Sequence, residues 1–229
     1  MGIILIASLL PVLLLLIYIF RKDKYLKEPL PMLLKALLGG VLAGIADIIL
    51  LSALSFAEVT TFSGNLQQAL YQAFCQAALP EEFCKLLFLF LFIWPSRYFD
   101  EYYDGIEYAA FVGLGFAGLE NIMYVMEGGL GVAIGRALFA VPAHFFFAII
   151  MGFFFALAKF RPWKKNFYLI LAYICPVIMH GIYDFILMYN NIIQTMSTGT
   201  ASILNIIFFV FFIFIAKLAS KKVNQMAGR

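Results

Sequence analysis

Residues 79–94 read LPEEFCKLLFLFLFIW, with Glu81, Glu82 and Lys85 opening onto nine uninterrupted apolar residues, Leu86 to Trp94. Charges in such a stretch would have to be dissolved in lipid, at about 2.5–3.5 kcal/mol each at a helix centre. A chain that carries them compensates with partners and, as a rule, with a function. The same conflict recurs at Glu120 with Asn121, at His144, and at His180 with Asp184. Acids, a base and two imidazoles together point to chemistry on a substrate.

The surrounding composition is that of a membrane protein. Of 229 residues, 64% are hydrophobic and 13% charged, against about 25% charged in a soluble domain. No stretch is long and polar enough to fold separately in water, so residues 1–229 are expected to form one membrane-embedded domain. A helix crosses the hydrocarbon core in about 20 apolar residues. Seven spans are expected, near 3–20, 32–56, 66–94, 106–126, 130–158, 167–189 and 202–218. Ten-residue alternating strands are absent, so the fold class is an all-α polytopic bundle. The N-terminal apolar run is followed, not preceded, by its basic cluster, and is read as an uncleaved first span. Cys75, Cys84 and Cys175 lie in apolar runs without C-x-x-C spacing and are read as packing residues.

Basic residues set the orientation. Arg21, Lys22, Lys24, Lys27, Lys35, Arg97, Lys159, Arg161, Lys164, Lys165, Lys217, Lys221, Lys222 and Arg229 fall on one side, fourteen of sixteen. The N-terminus is therefore expected outside and the C-terminus in the cytoplasm. The two exceptions are Lys85, deep in the third span, and Arg136, which either snorkels to the outer headgroups or faces inward. Counting along each helix places Glu81, Glu82, Glu120, His144, His180 and Asp184 in the middle to outer bilayer, compatible with one site.

Spacing adds detail. Glu81 and Glu82 are i,i+4 and i,i+3 to Lys85, so both can reach its ammonium. They could merely glue helices, or give one carboxylate held ionised beside a second able to take a proton, as a general base requires. Gln68, Gln72 and Gln76 repeat every fourth residue and would line a wet path towards Glu81. Pro80, Pro142 and Pro176 precede polar residues by one to four positions, and the kinks expected there suit a hydrated cavity. Asp184, at i,i+4 from His180, can orient that imidazole. His144 is the other histidine, and packing competes with function for it. Gly113, Gly115 and Gly118 spell G-x-G-x-x-G, but without a strand or βαβ unit they are read with Gly40 and Gly44 as a helix-packing face. The tyrosine-rich connection 96–105 fits an inner interfacial belt.

These residues, in this order, resemble the PrsW family of bacterial membrane-embedded proteases, related to CAAX-processing and bacteriocin-processing endopeptidases. The family pattern is E-E-x-x-K, F-x-x-x-E, a later His, then H-x-x-x-D. Here it is matched by Glu81, Glu82 and Lys85, by Phe116 and Glu120 (followed by Asn121), by His144, and by His180 with Asp184, a motif core of 80–185. The resemblance implies a multi-pass protein of the bacterial cytoplasmic membrane. Its partners would be the lipid bilayer and a single-span substrate such as an anti-sigma factor, cut first on the outer side in a stress response. No nucleic-acid partner is expected. It also implies catalysis by Glu81 or Glu82 activating water, the first being preferred by similarity to CAAX endopeptidases. Lys85 would tune the pair, and His180, oriented by Asp184, would serve the oxyanion or the leaving amine. His144 and Glu120 complete the set.

The alternative within this class is Zn²⁺ held by His144, His180 and Glu120 or Asp184 with an open position for water. The motifs lack the H-E-x-x-H pair, which counts against a tightly bound metal. From another class comes a proton- or cation-coupled transporter using the same carboxylates and imidazoles. No internal repeat supports it. A retinal sensor would need a mid-membrane lysine in the last span, and Lys217 sits at that span's inner end.

Overall fold

In the computed structural model, residues 2–22, 27–55, 64–193 and 198–227 are described. Lys24 and Arg229, used above for orientation, lie outside them. All regular structure among the described residues is helical: α1 (Gly2–Lys22), α2 (Leu30–Ser55), α3 (Asn65–Tyr71), α4 (Leu79–Ile93), α5 (Tyr102–Gly135), α6 (Val141–Phe160), α7 (Lys165–Ile193) and α8 (Thr198–Met226). Among the described residues, five helical stretches are long and apolar enough to cross a membrane: Gly2–Lys22, Leu30–Ala53, Tyr102–Phe160, Pro162–Ile193 and Gly199–Met226.

The third of these is 59 residues long. At 1.5 Å per residue it would reach about 90 Å if straight, roughly three bilayer cores. It does not run straight. Gly129 adopts φ 72°, ψ −166°, between the expected span ends at 126 and 130, and the chain folds back there. The returning arm packs so closely that a Cβ on Gly152 would lie 2.2 Å from the Gly105 carbonyl, and one on Gly113 2.5 Å from Ala148 Cβ. A positive φ of this kind is one that glycine alone adopts readily.

Residues 65–93 are interrupted differently. A π-helical segment, Gln72–Ala78, joins α3 to α4, and a second, Arg136–Ala140, joins α5 to α6. Each is followed within two residues by a proline, Pro80 and Pro142. Proline has no N–H and its ring collides with the carbonyl four residues back, so the preceding turn widens. Pro176 departs from the expectation, since α7 continues through it as regular helix.

The small-residue face holds α2 against α5. A Cβ on Gly40 would sit 2.0 Å from the Val112 carbonyl oxygen, and one on Gly115 2.2 Å from that of Leu37. Gly118 has only ordinary contacts, at 3.8 Å. Helices α5 and α6 lie at the centre, with Ile106, Tyr108, Leu114, Phe147 and Phe155 almost fully enclosed. The outer faces of α1, α2 and α8 expose Leu13, Ile49, Ile206 and Phe214, as a lipid-facing surface would. In the 96–105 connection Tyr103 is not a belt residue: it is buried, and its hydroxyl donates to the Ile19 carbonyl at 2.9 Å. The cysteines are free, with Cys84 buried and Cys75 exposed.

Candidate active site

Four helices bring the isolated motifs together. Immediately after the π segment and Pro80, the first turns of α4 present Glu81, Glu82 and Lys85 on the inward side, all buried. The Lys85 ammonium directs its three N–H bonds at three acceptors: Glu82 Oε1 at 2.7 Å, His144 Nδ1 at 3.0 Å and Glu81 Oε2 at 3.3 Å. Its Nζ also lies 4.2 Å from the centre of the Phe116 ring, a cation–π contact that gives the aromatic of F-x-x-x-E a physical task.

The two imidazoles are placed from α6 and α7. Because His144 Nδ1 accepts from Lys85, its Nε2 carries the proton and donates to Glu120 Oε2 at 2.8 Å. His180 faces carboxylates on both sides, Nδ1 at 2.9 Å from Glu82 Oε1 and Nε2 at 3.2 Å from Asp184 Oδ2. Each ring nitrogen, where it carries a proton, has a carboxylate to donate to. Phe147 stacks on His180, with centroids 5.0 Å apart at 21°. Glu81 Oε2 stands 4.0 Å from His144 Nδ1 and from His180 Nε2, at the middle of the group.

Arg136 belongs to this network and does not snorkel. It forms an ion pair with Glu120 Oε2 at 2.7 Å, and its Nε donates to Asn121 Oδ1 at 2.9 Å. Its guanidinium lies 4.2 Å from the Tyr124 ring centre. Asn121, fully buried, donates in turn to the Ser8 carbonyl at 2.7 Å, tying the site to α1. The returning arm after Gly129 is what brings Arg136 back over Glu120, fifteen to sixteen positions away in sequence.

A cavity of about 380 Å³ opens beside these groups, lined by Glu81, Glu120, Gln72, Gln76, Tyr124 and Asp47 among others. Of Glu81, Glu82, Lys85, His144 and His180, Glu81 is the one on its wall. Glu82 is fully enclosed behind it. Of the expected glutamine stripe, Gln72 and Gln76 line the cavity, whereas Gln68 is exposed. Asp47, in α2, was not singled out from the sequence. The signal was there, as one charge in the apolar run VLAGIADIILL, residues 41–51. A second acidic group, Glu28, Asp100 and Asp104, was also missed. Asp104 there caps α5 by accepting from the Asp100 and Glu101 amides at 2.9 and 2.6 Å, and Glu28 accepts from the Tyr108 hydroxyl.

The donor atoms of Glu81, Glu82, His144 and His180 lie within 4.8 Å of one another, and two carboxylates with two imidazoles are a donor set that suits zinc. This differs from the quartet expected from sequence. Glu120 and Asp184 do not join the convergent four; each bonds an imidazole, as outer carboxylates do around histidine ligands. Lys85 bonds three of the same four groups, so an ammonium and a metal ion would compete for them.

Comparison with known proteins identifies the family. A family model described as "PrsW family intramembrane metalloprotease" matches residues 28–216. Similar curated proteins include Protease PrsW of Geobacillus kaustophilus, 41% identical over 80% of this chain and 78% of its own length. Protease PrsW of Oceanobacillus iheyensis is 39% identical, over 80% of this chain and 82% of its own length. That of Bacillus subtilis is 36% identical, over 79% and 81%. No solved structure matches.

Proposed function

The chain belongs to the PrsW family of intramembrane proteases, and from that premise and the geometry we propose a Glu81-centred peptide hydrolysis within the bilayer. It is a membrane-embedded peptidase, a membership that also disfavours the transporter reading. The observation that carries the proposal is the position of Glu81, on the cavity wall with the rest of the cluster behind it.

In this reading Glu81 takes a proton from the water that attacks the scissile carbonyl, and returns it to the leaving amine as the C–N bond breaks. His180, whose Nε2 lies 4.0 Å from Glu81 Oε2, is placed to serve the developing oxyanion. Glu82 and Asp184 hold that ring in place. Lys85 holds Glu81, Glu82 and His144 in register, and Glu120, with Arg136 and Asn121 behind it, sets the His144 tautomer. If a metal is resident, Glu81, Glu82, His144 and His180 would hold it, and it would supply Lewis-acid polarisation of the peptide carbonyl.

The chain crosses the bacterial cytoplasmic membrane seven times in this proposal. The arms either side of Gly129 count as two spans, residues 65–93 as one, with the N-terminus outside. The substrate is a single-span membrane protein of the anti-sigma-factor kind, cut first near the outer side as the opening step of regulated intramembrane proteolysis in a stress response. The motif order and the basic-residue asymmetry support it. The test compares new protein N-termini in membranes from cells making the wild type and a Glu81→Gln, Glu82→Gln double variant at equal expression. Termini on the outer side of single-span proteins, present with wild type alone, are expected. Identical termini in both would overturn the proposal.

A further inference from the structure

The cavity holds three acids, and their surroundings differ. Glu120 is paired with Arg136 and His144, and Glu81 with Lys85. Asp47 has neither a hydrogen bond nor an ion pair among the described residues. It is nonetheless 6% exposed, and its Oδ1 is enclosed without a partner. A buried polar oxygen is normally bonded, and leaving one unsatisfied costs about 1–3 kcal/mol, more when it is charged. Packing gives no reason to keep such a group, since α2 is otherwise apolar around it.

Position explains it better. Asp47 lies one turn beyond Gly44, where α2 comes so close to α5 that a Cβ on Gly44 would be 2.9 Å from Leu119. This approach puts Asp47 on the wall that also carries Glu81. Beside it, Ile48, Leu51 and Met188 supply an apolar lining. An acid that makes no ion pair, with apolar residues beside it, is complementary to a long aliphatic side chain with a cationic head.

We infer that Asp47 is a specificity-determining residue, whose carboxylate receives a lysine or arginine side chain of the substrate segment lying in the cavity near the scissile bond. This rests on the protease reading above. The basic residue enters with its stem along Ile48 and Leu51 and its head at the Asp47 carboxylate, and so fixes which peptide bond stands before Glu81. Substrates lacking it would bind in several registers and be cut slowly.

The test uses the full chain in lipid nanodiscs. Its probe is a library of single-span peptides in which the residues around the outer end of the span vary among Lys, Arg, Gln, Met and Glu, and the cleaved products are sequenced. Wild type is expected to enrich Lys and Arg at one fixed distance from the cut, on the order of tenfold over Gln. Asp47→Glu should keep the enrichment, Asp47→Asn lose it, and Asp47→Lys favour Glu at the same position. The enrichment is a ratio within each sample, so a smaller folded fraction does not alter it. Wild-type cleavage without basic enrichment, or enrichment that survives in Asp47→Asn, overturns the inference. No cleavage by wild type anywhere in the library overturns the protease reading itself, and this one with it.

Discussion

Lys85 has three N–H bonds and all three are taken, which makes it the hub on which the two glutamates and His144 depend. The glutamates are equivalent in sequence but not in place, and this separates their expected variants. Glu81→Gln removes a general base and should cut the cleavage rate by about 10²–10⁴ with little change in thermal stability. Glu82→Gln breaks a fully buried pair that serves both Lys85 and His180, and should destabilise the protein by about 3–5 kcal/mol. Rates and unfolding temperatures in nanodiscs check both; equal stability loss in the two variants would contradict the assignment. Lys85 also competes with any cation for its acceptors. Lys85→Met should therefore raise the affinity for Zn²⁺, measured by titration calorimetry, while lowering activity. An unchanged zinc affinity would show that Glu81, Glu82 and His144 are not metal ligands.

Elements matter here mainly by how closely they approach and where they break. The contact of α2 with α5 brings Asp47 and Phe116 into the lining of one cavity, and it exists because Gly40 and Gly115 have no side chains. Gly40→Ala would force a Cβ to within 2.0 Å of the Val112 carbonyl. Overpacking of this kind costs about 1–3 kcal/mol, and here it should also lower activity by spreading the two walls. Gly131→Ala, at a position with nothing within 4 Å, should hold or raise stability. Thermal unfolding of the pair checks the contrast. The π segments have a comparable role: by ending just before Pro80 and Pro142 they set the rotation at which α4 and α6 present Glu81 and His144.

At the scale of the molecule, function requires that the cavity face the side where substrate is cut. On the proposed topology Trp163, 75% exposed in the turn Pro162–Lys164, faces the cytoplasm, and the turn after Gly129 faces the outside. In a variant with Cys75, Cys84 and Cys175 replaced by serine, Gly131→Cys should react with an impermeant maleimide in intact cells. Trp163→Cys should react only after the membrane is opened. The reverse pattern would invert the topology and place the site on the wrong side for an outer cut.

The sequence by itself determined the class of the molecule and pointed to most of the ionisable residues that the fold gathers into one cluster. Long apolar runs admit only helices in lipid, and ionisable residues survive in them only when paired, so Glu81, Glu82, Lys85, Glu120, His144, His180 and Asp184 stood out before any coordinates. What sequence spacing could not decide was pairing across helices. Local geometry relates residues three or four apart, whereas the Lys85–His144 and His180–Glu82 bonds join residues 59 and 98 apart. The fold-back at Gly129 turned Arg136 from a headgroup anchor into the partner of Glu120. The same distant packing chose Glu81 over Glu82 for the cavity wall, and set Glu120 and Asp184 behind the imidazoles. It also put Asp47, a single acid in an otherwise apolar helix, beside the candidate base. Charge and hydropathy say which side chains must find partners; the route of the backbone through space says which partners they find.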